Sequence, residues 1–77
     1  MQEVKTDREW EEGVKSLLKA ELKRRNVTYA QLVGKLADIG VIDSEPNIRN
    51  KLARGKFTAV FLIQCLEAIG VNSLHLE

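Results

Sequence analysis

Apolar side chains recur along the chain at intervals of three and four residues in four stretches that short polar segments separate. This spacing places the apolar residues of each stretch on one side of an α-helix. No stretch has the two-residue alternation that is typical of a strand. The pattern therefore predicts an all-α protein, a compact bundle of four main helices at about residues 7–25, 29–38, 45–54 and 59–69.

Helix-ending signals surround these stretches. A hydroxyl residue precedes every stretch: Thr6, Thr28, Ser44 and Thr58. The first two also have a capping-box partner three residues later, Glu9 for Thr6 and Gln31 for Thr28. Glycines follow the last three stretches, at 40, 55 and 70, where a left-handed residue commonly ends a helix. Because the first connection is short, we expect helices 1 and 2 to pack directly on each other.

The fourth stretch is apolar nearly all round, so we predict that it is the core helix on which the others rest. Trp10 and Tyr29 are interpreted as aromatic core anchors. The remaining predicted core residues are Val14, Leu17, Leu18, Leu22, Leu32, Val33, Leu36, Ala37, Ile48, Leu52, Phe61, Leu62, Cys65, Leu66 and Ile69. Residues 71–74 are expected to form a turn or one short helical turn.

The 77 residues are enough for a single domain with a small core. No apolar run reaches the roughly 18 residues of a membrane span, and the charged amino terminus lacks the apolar region of a signal peptide. These observations predict a cytoplasmic protein. We interpret Leu76 and Glu77 as a cloning scar.

Candidate catalytic and metal-binding groups are few. His75 is the single histidine and lies in the tail, while Cys65 is the single cysteine and lies within the apolar fourth helix. One His and one Cys cannot supply a zinc site or a nucleophile with its base. The sequence therefore predicts no enzyme activity, no metal and no cofactor, and Cys65 is expected to be a core residue.

The segment from Ser44 to Phe57, SEPNIRNKLARGKF, has the most unusual composition. Between Glu45 and Lys56, four basic residues and one acidic residue give a local charge of +3, in a chain whose net charge is only +1. At 100° per residue, Ile48 and Leu52 fall on one side of a helix, and the polar face opposite them carries Asn47, Asn50 and Arg54.

Two interpretations of this polar face stay open. It can be a solvated surface that only keeps the helix soluble, or a surface that contacts nucleic acid through amide and guanidinium groups. The second gains weight because Asn is a poor helix former. Lys or Glu would serve solubility better.

The order RRNVTYAQLVGKL, NIRNKLARG and FLIQCLEAIGVNSL resembles the lambda-repressor-like helix-turn-helix family of the Xre and Cro type. The sequence is also similar to a small bacterial domain family of unassigned function that shares the Trp, VTYAQL and NIRNKLARGKF. The first resemblance implies that helices 2 and 3 form a helix-turn-helix with helix 3, at 45–54, as the recognition helix. The implied function is duplex DNA binding, sequence-specific or non-specific, in transcriptional regulation. The DNA-binding residues that it implies are Thr28, Gln31, Asn47, Arg49, Asn50, Arg54 and Lys56.

An alternative function is a protein-interaction or dimerisation module without DNA binding. The outer surface of helix 4 carries a mixed set of residues that could pair with a second copy across a two-fold axis: Val60, Ile63, Gln64 and Glu67. Equally, the tail at residues 71–74 could cover Val60. Dimerisation and DNA binding can also coexist, since repressors of this type dimerise to present two recognition helices.

Overall fold

The computed structural model describes residues 4–74. Within this range the chain is all-helical, with four helices packed into a compact globule, as the hydrophobic pattern predicts. The helices are α1 (Asp7–Arg24), α2 (Tyr29–Asp38), α3 (Glu45–Arg54) and α4 (Ala59–Ala68). The predicted boundaries agree with these to within one residue.

Hydroxyl side chains begin all four helices. The oxygens of Thr6, Thr28, Ser44 and Thr58 each accept a hydrogen bond from the N–H group three residues later. Both predicted capping boxes form, because the side chains of Glu9 and Gln31 accept in return from the N-cap N–H groups. These local bonds pair N–H groups that the first helical turn leaves without partners, and they explain why the starts were predictable.

Three of the helices end in the same way, with a left-handed residue followed by valine. The valine N–H donates at 2.9 Å to a leucine carbonyl five residues earlier, and the valine side chain packs on the core. The three sets are Leu22, Asn26 and Val27; Leu36, Gly40 and Val41; and Leu66, Gly70 and Val71. α3 ends differently, at Gly55 with a φ of 69° and a single bond from its N–H to the Lys51 carbonyl.

α3 and α4 each pack against both α1 and α2. The backbones of α1 and α2 each approach α3 and α4 but do not approach each other. The prediction that helices 1 and 2 pack directly is therefore wrong at the level of the backbone, because each packs on α3 and α4 instead. The core that all four share consists of Leu18, Leu22, Leu32, Leu36, Ile48, Leu52, Phe61, Cys65, Leu66 and Ile69.

Trp10 is not the core anchor that the periodicity predicts, because 59% of its surface is exposed. At this end of α1 the partly buried residue is Glu11. Trp10, one position earlier, points about 100° away from that side of the helix. The Lys5 Nζ atom lies 4.6 Å from the Trp10 ring centroid. Tyr29 is half-buried against the core as expected, whereas Ala37 is exposed.

The carboxyl-terminal segment contributes little regular structure. Residues 71–74 form no helical turn, and the turn lies instead at Ile69 and Gly70. The predictions for His75 and for Leu76 and Glu77 lie outside the described residues. None of the four helices is long and apolar enough to cross a membrane.

Candidate nucleic-acid interface

The outer face of α3 is the candidate interface. Ile48 and Leu52 are fully buried beneath it, which turns Asn47, Asn50 and Arg54 toward solvent. These three exposed side chains surround a shallow depression, and Lys51 and Lys56 complete its rim. The structure therefore brings together four of the seven residues predicted to bind DNA, namely Asn47, Asn50, Arg54 and Lys56.

The two basic groups at the carboxyl end of this face carry no ion pair. Among residues 4–74, neither Arg54 nor Lys56 lies within salt-bridge distance of a carboxylate. Both side chains are exposed. Their positive charges are therefore available to an incoming anion.

Lys51 is held in place by its neighbours. Its Nζ atom lies 2.9 Å from Asp43 Oδ2 and 4.3 Å from the centroid of the Phe61 ring. Burial of Asp43 opposes its ionisation, but hydrogen bonds from the Lys51 ammonium and the Ser44 N–H, with a smaller contribution from the Asn47 side chain, outweigh that effect and hold the pKa of this carboxyl below its ordinary value. This contact ties the connection between α2 and α3 to the side of α3, so Lys51 serves the fold.

Arg49 lies apart from the depression, next to the start of α2. Its guanidinium donates to Glu45 at 2.6 Å, and its Cζ atom lies 5.7 Å from the ring centroid of Tyr29, the first residue of α2. More than half of the Arg49 side chain stays exposed. The structure thus places this predicted site residue at the junction between α3 and the amino end of α2.

Thr28 and Gln31 are exposed at that same amino end, where each caps the other. The Thr28 N–H donates to Gln31 Oε1 at 3.0 Å, and the Gln31 N–H donates to Thr28 Oγ1 at 3.1 Å. The Gln31 amide nitrogen retains its donors, and the first N–H groups of α2 lack helical partners. The amino end of α2 therefore presents hydrogen-bond donors to solvent.

A second depression, on the other side of Arg54 and Lys56, involves residues that sequence reasoning missed. Its remaining lining comes from Ala53 and from the first half of α1: Arg8, Glu11 and Glu12. Two observations show that α1 packs closely on the end of α3. Lys15 Nζ lies 3.4 Å from the Ala53 carbonyl oxygen. The backbones also approach so closely at Gly55 that a Cβ atom there would lie only 2.6 Å from the Glu11 carbonyl oxygen. No local sequence signal joins segments so far apart in the chain.

The outer surface of α4 differs from that of α3. Val60 and Ile63 are 64% and 59% exposed, Glu67 is exposed and Gln64 is half-buried. The interpretation that the tail covers Val60 is wrong, since the tail residue Leu74 instead lines a depression with Ile63 and Glu67. Val60 and Ile63 therefore both stay largely exposed on α4 within the described chain, with the tail beside Ile63 alone.

Cys65 lies on the opposite, inner side of α4. It is fully buried, and this burial raises the pKa of its thiol to about 12. The thiol is therefore protonated at neutral pH. The prediction that Cys65 is a core residue is confirmed.

Comparison with known protein families identifies the family of this chain. Residues 10–74 match the family described as a domain of unknown function (DUF6471), which covers most of the chain. The chain therefore belongs to this family. No curated protein and no solved structure matches it.

Proposed function

We propose that this DUF6471 domain binds duplex DNA through the outer face of α3, as a helix-turn-helix formed by α2 and α3, and that it acts in transcriptional regulation. The observation that carries the proposal is the grouping of two asparagines with two basic residues that have no ion-pair partner among residues 4–74, around one exposed depression. An anionic ligand with hydrogen-bonding edges suits that combination.

Each side-chain type has a role that follows from its chemistry. The amides of Asn47 and Asn50 can pair bidentately with adenine in the major groove. Arg54 can pair with guanine or with a phosphate, and Lys56 with a phosphate. Burial of Ile48 and Leu52 supports these roles, because it anchors α3 by the opposite face and leaves the polar groups exposed.

The residues at the start of α2 would contact the sugar-phosphate backbone. Support comes from Arg49. Its guanidinium lies over the ring of Tyr29, the first residue of α2, and most of its side chain stays exposed. Donors of Gln31 and the amino end of α2 beside Thr28 suit a phosphate, because the helix dipole favours a negative charge there. In this arrangement α3 would read bases while α2 fixes its orientation.

A second candidate function is self-association through α4. The exposed pair Val60 and Ile63 favours it, because these two neighbouring apolar side chains form a small surface that can be buried against a copy of itself. A homodimer would also present two α3 helices to one DNA site, so this candidate is compatible with the first.

An NMR titration of the domain with random-sequence duplex DNA tests the proposal. We expect shifts of the amide signals to concentrate at residues 28–31 and 45–56 and to diminish as salt is raised, because bound Lys and Arg displace counterions. The absence of shifts at α3 under low salt contradicts DNA binding. Line broadening at α4 that depends on protein concentration, without DNA, would favour self-association instead.

A further inference from the structure

A basic group of α1 lies next to the two free basic groups at the carboxyl end of α3. Arg8, in the first turn of α1, lines the same depression as Arg54 and Lys56. All three side chains are exposed, and none of them lies within salt-bridge distance of a carboxylate among residues 4–74. Three basic groups from two helices therefore border one depression.

The packing of α1 on α3 holds Arg8 in this position. Three residues after Arg8, the Glu11 carbonyl oxygen lies where a Cβ atom at Gly55 would come within 2.6 Å of it, so the two backbones are almost in contact. Seven residues after Arg8, Lys15 Nζ lies 3.4 Å from the Ala53 carbonyl oxygen. Arg8 thus extends from a backbone that the fold keeps against the end of α3.

Two carboxylates also line this depression, yet its charge stays positive. Glu12 is already paired, since Lys15 Nζ lies 3.0 Å from Glu12 Oε2. Glu11 is half-buried and forms no ion pair among residues 4–74. When Lys15 is counted, four basic groups face two carboxylates, which leaves an excess of two positive charges. The depression therefore favours an anion.

A phosphate of the DNA backbone is the anion that suits this group. An Arg guanidinium binds a phosphate through two parallel N–H donors, and a Lys ammonium binds it as a point charge. The neighbouring depression, which holds Asn47 and Asn50, shares Arg54 and Lys56 with this one. A duplex whose bases contacted the two asparagines would therefore bring its sugar-phosphate backbone over the shared basic groups and toward Arg8.

We propose that Arg8 is a DNA-binding residue, which contacts a backbone phosphate together with Arg54 and Lys56 and so extends the interface from α3 to α1. This inference rests on the proposed function, and it deepens that function by adding a contact from a second, distant part of the chain. Because a phosphate contact carries no sequence information, Arg8 adds affinity and fixes the orientation of α3 without selecting bases.

The test is the affinity of Arg8→Gln for a random-sequence duplex, measured by fluorescence anisotropy at several salt concentrations. We expect binding about three- to tenfold weaker than wild type at about 50 mM salt. The salt dependence of log K should fall by about 0.9, because one phosphate fewer is neutralised. Arg8→Lys keeps the positive charge and should recover most of the loss.

Lys19→Gln is the matched control. Lys19 is exposed, has no ion pair among residues 4–74, and lies on the same side of α1 as Arg8, about 16 Å farther along the helix. The substitution removes the same charge, and we expect it to weaken binding far less. Thermal unfolding of each variant checks that the fold is retained.

The outcomes separate this inference from the proposed function. Equal losses in Arg8→Gln and Lys19→Gln would show an effect of net charge alone and would overturn the inference. Affinity that Arg8→Gln leaves unchanged would also overturn it, while DNA binding through α3 would stand. A loss that Arg8→Lys does not recover, together with a lower thermal midpoint, would assign Arg8 to the fold. If wild type did not bind DNA at low salt, the proposed function would fall, and this inference with it.

Discussion

The inner and outer faces of α3 differ in how strongly folding constrains them. On the inner face, Ile48 and Leu52 are fully buried and Gly55 lies against the backbone of α1. On the outer face, the side chains of Asn50 and Arg54 are exposed and make no hydrogen bond or ion pair within the described residues. Folding therefore fixes the first set and leaves the second free to serve a ligand, so that substitutions on the two faces should separate stability from binding.

The largest effect should come from Leu52→Ala on the inner face. Because this side chain is fully buried beneath the last turn of α3, its truncation removes apolar contacts and leaves a cavity. We expect a loss of about 2–5 kcal/mol in the free energy of unfolding, enough to unfold much of so small a domain. Urea denaturation followed by circular dichroism measures it. A loss below about 1 kcal/mol would mean that α3 does not anchor the bundle.

Gly55→Ala should show that the inner face extends to the end of α3. The substitution forces alanine into a left-handed conformation and places its Cβ 2.6 Å from the Glu11 carbonyl oxygen, so α1 and α3 must move apart. Strain and overpacking together should lower the free energy of unfolding by at least about 2 kcal/mol. Thermal denaturation provides the measurement.

Gly40→Ala is the matched control for that prediction. Gly40 has a φ of 85°, yet a Cβ there would meet no atom within 4 Å. We expect it to lower the free energy of unfolding by only about 1–2 kcal/mol, from backbone strain alone. Equal losses at the two glycines would show that α1 does not press on α3, which would contradict close packing of the Glu11 backbone on Gly55.

The inner face was largely predictable from the sequence because its signals are local. Helix boundaries follow from hydroxyl caps and glycines a few residues away, and burial of Ile48 and Leu52 follows from their spacing. Prediction failed where burial depends on a partner helix. Trp10 has the right spacing, yet no other helix covers it. Nothing in the connection lengths shows that α1 and α2 pack on α3 and α4 rather than on each other.

The surroundings of the outer face were not predictable for the same reason. Exposure of Asn47, Asn50 and Arg54 follows from periodicity, but their neighbours come from segments distant in sequence. Glu11 and Glu12 reach Arg54 only through the packing of α1 on α3. The ion pair between Lys51 and Asp43 depends likewise on how the connection before α3 folds back, whereas the pair between Arg49 and Glu45 is a local i,i+4 contact within α3.

Asn50→Ala tests whether the outer face reads bases. We expect the preference for a selected duplex over a single-base variant to shrink by about 1–3 kcal/mol, since a bidentate amide contact is lost. Thermal stability should stay the same or rise slightly, because alanine is the better helix former. Asn72→Ala, an exposed amide in the tail, is the control and should leave the preference unchanged. An unchanged preference in Asn50→Ala would assign this side chain to solvent.

Arg54→Ala should give the smallest loss of affinity for any single duplex. It should also show most clearly that the outer face serves binding and the inner face stability. Loss of one phosphate contact should weaken binding to all duplexes and reduce the salt dependence of log K by about 0.9. The thermal midpoint should barely change, because Arg54 is exposed and has no ion pair among residues 4–74. Lys19→Ala, the same loss of charge from the middle of α1, should reduce that slope far less. If Arg54→Ala instead unfolded the domain, this side chain would belong to the inner, structural face, and DNA binding would lose one of the two basic groups that line both depressions.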